Sequence, residues 1–362
     1  MAKSGVTLDV FDFFSGCGGT SCGFALAGMN IKFALDFDHE ASSTFAANFP
    51  DAVVMTQDIR QLKPQDLSSI VGRRQRPLLF SGCAPCQPFS KQNLSKSSKD
   101  SRRSLLGEFG RFVEHWLPEY VFIENVPGLQ RIQSKDGPLS AFVRLLRRLG
   151  YDVKTDVLPA SAYGVPQTRQ RLVLLASLVG DIELPARSHG EKLTPTSTVR
   201  HWIEDLAPIE AGQVHPDDPD HHSAVLTDIN LKRIRATPEG GGRESWPQDL
   251  WLQCHVGHEG HKDVYGRLSW DRPASGLTTR CISYSNGRFG HPEQDRGLSV
   301  REAACLQTFP RSFRFHGSLS SKAKQVGNAV PPLMAKAFAD QIRRHWQLRQ
   351  QRIPGKRSEP RV

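Results

Sequence analysis

The strongest constraint on the fold is an alternation of strand-like and helix-like segments in the first half of the chain. Apolar, strand-like runs are expected at residues 6–14, 31–38, 52–59, 76–82, 120–126, 151–160 and 169–177. Helix-like segments separate several of them, such as "HEASSTFAANF" and the amphipathic "GPLSAFVRLLRRLG" at 137–150. Because parallel strands need crossover helices, the pattern predicts an α/β fold with a doubly wound, mostly parallel sheet.

The pattern changes between about residues 180 and 300. Clusters of Pro, Gly, Asp and His such as "HPDDPDHH" are typical of a smaller domain with little regular structure. Helices are expected again at 298–310 and 331–352. The predicted organisation is a large domain over 1–188 completed by 320–350, a smaller domain over 189–295, a connecting segment over 296–319 and a basic tail over 351–362.

Composition narrows the possible partners and the compartment. The formal net charge of +10 favours a polyanionic partner, nucleic acid above all. The sequence has no apolar run long enough to span a membrane and no apolar signal core in "MAKSGVTLDV", so a cytoplasmic, nucleoid-associated protein is expected. In such a reducing compartment the seven cysteines are expected to be free thiols.

A glycine turn, "DFFSGCGG", follows the first strand and opens a helix. Its glycines allow close approach of a ligand to the backbone, although a plain tight turn is the alternative. The spacing differs from the dinucleotide fingerprint, and no Walker lysine is present. Asp36 could hold ribose hydroxyls, Phe37 could stack on an adenine ring, and Asp58 is expected at the end of the third strand. Together these residues favour a nucleoside ligand at the carboxyl edge of the sheet.

The cysteine pair in "LFSGCAPCQPFS" has four interpretations. Zinc needs more ligands than Cys83 and Cys86 provide, and a thioredoxin-like pair does not fit the upstream glycine turn. "CHVGHEGH", with Cys254, His255, His258 and His261, could bind a metal but fits a flexible loop at least as well, so no metal site is predicted. Cys86 remains either a buried, inert cysteine or a nucleophile held beyond a strand end.

Polar side chains end two further strands. "FIENVPGL" runs an apolar strand into Glu124 and Asn125, which are either functional groups or solvent-facing turn residues. "QTRQR" sets Arg169 and Arg171 two apart, on one face of an incoming strand. They could grip a carboxylate or phosphate, or be charges on an exposed edge.

In combination these segments resemble the bacterial C5-cytosine-specific DNA methyltransferases. The resemblance rests on "DFFSGCGG", "PCQPFS", "ENVPGL", "QTRQR", "REAACLQTFP" and "VGNAVPP", in that family's order and over almost the whole chain. It implies the S-adenosylmethionine-dependent methyltransferase fold, with catalysis in the large domain and target recognition in the smaller one. The implied cofactor is S-adenosyl-L-methionine, with contacts from Phe14, Gly16, Gly18, Gly19, Asp36, Phe37, Asp58, Ile59, Pro85, Asn328 and Val330.

The resemblance also implies a mechanism. The Cys86 thiolate would add to carbon 6 of a flipped cytosine, so that carbon 5 can take the methyl group. Glu124 would act at ring nitrogen 3 as a proton carrier, and Arg169 would hold the pyrimidine oxygen. Asn125, Arg171 and Gln87 would support the site, and Cys83 would have no catalytic role.

Double-stranded DNA is the implied partner. Segment 90–109 resembles the family's mobile loop, and the expected DNA contacts are Ser90, Lys91, Arg102, Arg103, Arg243, Arg267 and Arg280. One departure is Gly276-Leu277, where the family usually has Thr before Leu, Ile or Val. The loss of that hydroxyl puts one phosphate contact in doubt.

Three rival functions are open at this point. A catalytically silent DNA-binding relative would be expected to lack Cys86 or Glu124, yet both are present. A transfer-RNA cytosine methyltransferase shares motifs, but the long insert before "REAAC" favours groove reading in DNA. A nucleotide-dependent oxidoreductase explains only the glycine turn. The expected protein is a monomeric enzyme, paired with a restriction endonuclease, acting with phage-defence proteins, or solitary.

Overall fold

A seven-stranded sheet forms the centre of the computed structural model, which describes residues 7–84, 105–127, 137–253 and 263–352. Its strands are β1 (Asp9–Phe13), β2 (Asn30–Asp36), β3 (Val53–Thr56), β4 (Leu78–Gly82), β5 (Tyr120–Asn125), β6 (Asp152–Pro159) and β7 (Gln170–Ser177). They lie in the order β3-β2-β1-β4-β5-β7-β6. The first five strands in this order are parallel to one another. Strand β7 runs antiparallel to its neighbours β5 and β6.

Helices cover both faces of this sheet. In chain order they are α1 (Gly19–Leu26), α2 (His39–Asn48), α3 (Ser68–Val71), α4 (Leu105–Trp116), α5 (Pro138–Arg148), α6 (Arg200–Ile203), α7 (Asp228–Arg235), α8 (Val300–Leu306), α9 (Leu319–Asn328) and α10 (Pro332–Arg352). Because successive strand residues point to opposite faces, β1 divides its side chains between two cores. Val10 packs with α1 and α10, while Phe11 and Phe13 pack with the α4 side. The doubly wound sheet predicted from the alternation is therefore present.

Helix α10 returns the C-terminal part of the chain to α1. A Cβ atom at Gly23 would lie 2.3 Å from the Pro332 carbonyl oxygen and 2.6 Å from Ala335 Cβ. Only a residue without a side chain allows the two helices to approach so closely. The start of α10 is thereby placed beside the glycine turn at the carboxyl edge of β1.

The region between β7 and α8 has little regular structure. Its elements are short: α6, α7 and the hairpin of β8 (Val214–His215) and β9 (Asp218–His222). Buried arginines organise it, and Arg267 is an example with 4% of its surface exposed. Its guanidinium donates to the carbonyl oxygens of Ile234, Thr237 and His291. Such arginines supply hydrogen-bond donors to backbone carbonyl groups that have no partner in a helix or strand.

The structure corrects two predicted boundaries and adds helices that the sequence did not indicate. The proposed mobile loop over 90–109 is wrong for 105–109, because α4 begins at Leu105 and buries Phe109 in the sheet core. The third strand ends at Thr56, since Asp58 caps a short 3₁₀ turn at Ile59–Gln61. Helices α4 and α9 were not predicted. Among the described residues, no helix is both long and apolar enough to span a lipid bilayer.

Candidate active site

The glycine turn leaves β1 in a left-handed backbone conformation. Phe14, Gly16 and Gly18 have φ values of 58°, 52° and 96°. A Cβ atom at Gly16 would meet nothing within 4 Å, so the backbone here borders open space. The turn lies beside the β1–β4 boundary, where the strand order reverses and where open α/β sheets bind ligands.

Asp36 ends β2 and supports this turn. Its Oδ2 accepts a hydrogen bond from the Gly16 backbone N–H at 2.8 Å, and its Oδ1 accepts from Asp38 N–H at 2.9 Å. Burial raises the pKa of this carboxyl group. Phe37 follows with 71% of its surface exposed. An exposed ring beside a fixed carboxylate could stack on a purine while the carboxylate accepts from ribose hydroxyls.

Asp58 and Ile59 lie beyond β3 but contribute differently from what was expected. Asp58 binds Arg60, with Arg60 Nη2 at 2.5 Å from Oδ2, and this hydrogen bond lowers the pKa of Asp58. The Ile59 side chain is 3% exposed and packs in the sheet core. A ligand could therefore contact only the backbone of Ile59 without moving the core.

The end of α9 forms a second wall beside the glycine turn. A Cβ atom at Gly19 would lie 2.4 Å from the Val330 carbonyl oxygen and 3.0 Å from Ala329 Cβ. Val330 is buried, whereas Asn328 is exposed. The structure thus brings Asn328 and Val330 to the glycine turn from the far end of the chain.

Glu124 and Arg171 form a buried ion pair at the ends of β5 and β7. Arg171 Nε lies 2.6 Å from Glu124 Oε1, and the two side chains are 13% and 8% exposed. Next to this pair, Asn125 Nδ2 donates to the Ala84 carbonyl oxygen at 3.0 Å. Asn125 therefore ties the end of β5 to the chain that leads into "PCQPFS".

Arg169 takes a different position from its neighbour. It is 6% exposed, and its Nη1 donates to the carbonyl oxygens of Leu277 at 2.8 Å and Gly327 at 2.9 Å. Burial lowers its pKa to about 9, and the nearby Arg171 charge adds to this effect. The guanidinium beside Glu124 therefore belongs to Arg171, whereas that of Arg169 is held by backbone carbonyls.

Several predicted site residues lie outside the described part of the chain. They are Pro85, Cys86, Gln87, Ser90, Lys91, Arg102 and Arg103, together with the alternative ligand set Cys254, His255, His258 and His261. Cys83 is described, and its Sγ lies 3.6 Å from Thr20 Oγ1. Burial, followed by the Glu124 charge, raises the pKa of the Cys83 thiol. Within the described ranges, no cluster of three His, Cys, Asp or Glu residues could hold a metal ion.

Comparison with known proteins decides the family. The profile of the C-5 cytosine-specific DNA methylases matches residues 8–344.

The chain belongs to the C-5 cytosine-specific DNA methylase family.

Curated relatives match this methylase along most of their length. The type II methylase M.HgiDII of Herpetosiphon aurantiacus is 38% identical over 92% of this chain and 95% of its own. The type II methyltransferase M1.HphI of Haemophilus parahaemolyticus is 33% identical, covering 93% and 87%. The protein is therefore a C5-cytosine DNA methyltransferase, as predicted.

Solved structures agree with this methylase in fold. An E. coli crystal structure described as a prophage-encoded DNA modification methyltransferase has a TM-score of 0.75 at 23% identity, covering 94% of this chain and 100% of that one. The Spodoptera frugiperda DNMT2 structure has a TM-score of 0.60 at 18% identity, covering 91% and 98%. Both likenesses confirm the predicted fold class.

The described arginines expected to contact DNA separate into two groups. Arg267 is buried, and its guanidinium is committed to backbone carbonyls and to Asp295, so the predicted DNA contact is wrong in this conformation. Arg243 is also buried, at 7% exposure. Arg280 is exposed, on a loop anchored by buried Leu277 and Cys281. Among these three, Arg280 is placed to meet a ligand.

Two glutamines at the site were not singled out from the sequence. Gln167 and Gln307 are both 0% exposed and hydrogen-bond to each other. Gln307 stands in "REAACLQTFP", where a polar residue follows an apolar helix. The polar Gln307, directly after the apolar run "AACL", was the available signal.

Proposed function

We propose that this methylase transfers the methyl group of S-adenosyl-L-methionine to carbon 5 of a flipped cytosine in double-stranded DNA, with Cys86 as the nucleophile. The observation that carries the proposal is the buried Glu124–Arg171 pair at 2.6 Å. A carboxyl group and a guanidinium side by side match the polar edge of cytosine, which presents a ring nitrogen, an amino group and an oxygen. The "PCQPFS" segment begins directly after Ala84, which Asn125 ties to this pair.

The residues around the glycine turn fit the cofactor. Open space at Gly16, the fixed Asp36 carboxylate and the exposed Phe37 ring together suit a nucleoside. Asn328 and Val330 would close the pocket from the α9 side. When bound there, S-adenosylmethionine would supply the activated methyl group that carbon 5 takes.

The protein residues would prepare the base for this transfer. Cytosine carbon 5 is a weak nucleophile until a thiolate adds to carbon 6 and breaks the ring conjugation. Glu124 would carry a proton at ring nitrogen 3, while Arg171 would donate to the carbonyl oxygen on carbon 2. Loss of the carbon 5 proton to a base would then let Cys86 leave by β-elimination.

The target base must leave the helix to reach this buried pair. Arg280 would bind a phosphate beside the flipped nucleotide, since its loop is tied to Arg169 through Leu277. The type II names of the relatives support a cognate restriction endonuclease as partner. A phage-defence role and a solitary methylase are the alternatives to this pairing. A monomeric state and association with the nucleoid also belong to the proposal.

Trapping with 5-fluorocytosine tests the chemistry. Fluorine at carbon 5 cannot leave as a proton, so the proposed adduct should persist as a protein–DNA complex that survives denaturation. Mass spectrometry should locate the adduct on the peptide containing Cys86. Cys86→Ser should abolish the adduct, whereas the matched Cys83→Ser variant should retain it. An adduct formed by Cys86→Ser would refute Cys86 as the nucleophile.

A further inference from the structure

Two buried glutamine side chains form a fully paired network behind the active site. Gln167 Nε2 donates to the Leu306 carbonyl oxygen at 2.7 Å and to Gln307 Oε1 at 2.5 Å. Gln307 Nε2 donates to the carbonyl oxygens of Val326 at 2.8 Å and Ala329 at 2.9 Å. All four amide N–H bonds are used, so neither side chain can turn over without losing partners.

This network caps the C-terminus of α9. The last carbonyl groups of a helix have no partner within the helix and must find one elsewhere. Gln307 satisfies those of Val326 and Ala329, and Arg169 Nη1 satisfies that of Gly327 between them. A positive charge at a helix C-terminus is also favourable to the helix dipole. The three hydrogen bonds fix the direction in which the chain leaves α9, immediately before Val330.

Gln167 and Arg169 hold the loop that carries Arg280, and Gln307 is linked to it through Gln167. Gln167 Oε1 accepts from Leu277 N–H at 3.1 Å, and Arg169 Nη1 donates to the Leu277 carbonyl oxygen. Close packing adds to this, since a Cβ atom at Gly327 would lie 2.0 Å from the Thr278 carbonyl oxygen. The loop and the end of α9 therefore share their anchors and cannot shift independently.

Backbone strain marks the same place. Thr308, directly after Gln307, has φ = 72°, a left-handed conformation that is rare for a β-branched residue. Its Oγ1 accepts from Leu333 N–H at 3.0 Å, which joins the end of α8 to the start of α10. Strain of this kind persists only where the surroundings determine the conformation strongly.

We propose that Gln307 is a positioning residue that holds the cofactor wall at Asn328–Val330 and the DNA-facing loop at Leu277–Arg280 in one fixed arrangement. The inference rests on the proposed function, because it takes these two segments as cofactor and DNA contacts. Gln307 itself touches neither ligand. Loss of the Gln307 side chain should therefore weaken the binding of both the cofactor and DNA, and leave the side chains of Glu124 and Arg171 in place.

A matched pair of variants tests this role. Gln307→Met keeps the side-chain length but removes the hydrogen bonds to Val326, Ala329 and Gln167. Gln325→Met makes the same change on α9, at a buried glutamine that binds His316 and Ser321 instead. With plasmid DNA and radiolabelled S-adenosylmethionine, Gln307→Met should raise KM for both substrates by about tenfold, because buried carbonyls lose their partners. We expect a much smaller change in kcat for Gln307→Met. For Gln325→Met, both KM values should stay within about twofold of wild type.

Hydrogen exchange on the unmutated enzyme provides an independent measurement if Gln307→Met does not fold. Adding S-adenosylhomocysteine should slow exchange at 326–330 and also at the Leu277 amide, which donates to Gln167. Helix α5 serves as the reference region. Protection of 326–330 with unchanged Leu277 exchange, or equal KM effects of the two Met variants, would overturn the positioning role. Failure to bind S-adenosylhomocysteine at all would refute the proposed function and, with it, this inference.

Discussion

Replacing Asp12 by Asn should stabilise the protein near neutral pH. Asp12 is 0% exposed on β1, and its Oδ2 accepts a hydrogen bond from Ser21 Oγ at 2.6 Å. Its Oδ1 has no hydrogen-bond partner among the residues that the structure describes. Burial raises the pKa of this carboxyl group from 3.8 to about 6. An amide at this position keeps an acceptor for Ser21 and carries no charge.

The size of the effect follows from the raised pKa. Since the folded protein holds the Asp12 proton more tightly than the unfolded chain, folding is favoured most below pH 3.8, and this contribution is lost as the pH rises to about 6. The difference between the two pKa values corresponds to roughly 3 kcal/mol. Above about pH 6 the wild type bears this cost, and the Asp12→Asn variant does not.

Urea unfolding between about pH 4 and pH 8 measures this directly. The free energy of unfolding of Asp12→Asn, relative to wild type, should increase from pH 4 to pH 6 and then level off, by up to about 3 kcal/mol. Asp9→Asn controls for the same chemical change on β1, at a partly exposed residue bonded to Asn30. A stability difference that does not vary with pH, or a variant less stable than wild type at pH 7, would refute the reasoning.

Three further predictions follow from packing and charge. Gly23→Ala should lower the free energy of unfolding by about 1–3 kcal/mol, measured by thermal unfolding, because its Cβ atom would meet the backbone of α10. Gly107→Ala, a control in α4 where the added Cβ meets open space, should raise it by up to about 1 kcal/mol. Equal effects of the two substitutions would contradict the close packing of Gly23 against α10. Arg171→Lys should lower kcat in a methylation assay by roughly 100-fold, since Lys lacks the planar fork, and an unchanged kcat would remove Arg171 from the site. Glu302→Gln should cost about 3–5 kcal/mol in urea unfolding because the buried Arg296 charge loses its carboxylate partner, and a loss below about 1 kcal/mol would be inconsistent with this.

Local sequence patterns predicted the apolar strands of the sheet and the polar residues at their ends. Asp36 and Glu124 could be assigned to the site because each ends an apolar strand, and parallel strands end at the same edge. Helix α4 was missed because Leu105 and Phe109 follow a Ser-, Lys- and Arg-rich stretch that is typical of a loop. Only the packing of Leu105 and Phe109 against the sheet distinguishes this helix from a loop.

Partners distant in the chain explain the remaining errors. Arg169 and Arg171 look equivalent in "QTRQR", but Arg169 is captured by the carbonyl groups of Leu277 and Gly327, more than 100 residues away. Arg267 looked like a DNA contact because it lies in a polar, irregular region. In such regions, however, buried arginines satisfy backbone carbonyls, a demand that the sequence does not display.

Bisulfite sequencing of DNA from a methylation-free host that expresses this chain tests the central claim most directly. Protected cytosines should appear in one short sequence context, and none should appear in cells that express Cys86→Ser. That result would establish the activity and identify the recognition sequence together. Folded protein that leaves every cytosine unprotected, or protection that persists in Cys86→Ser, would contradict the account.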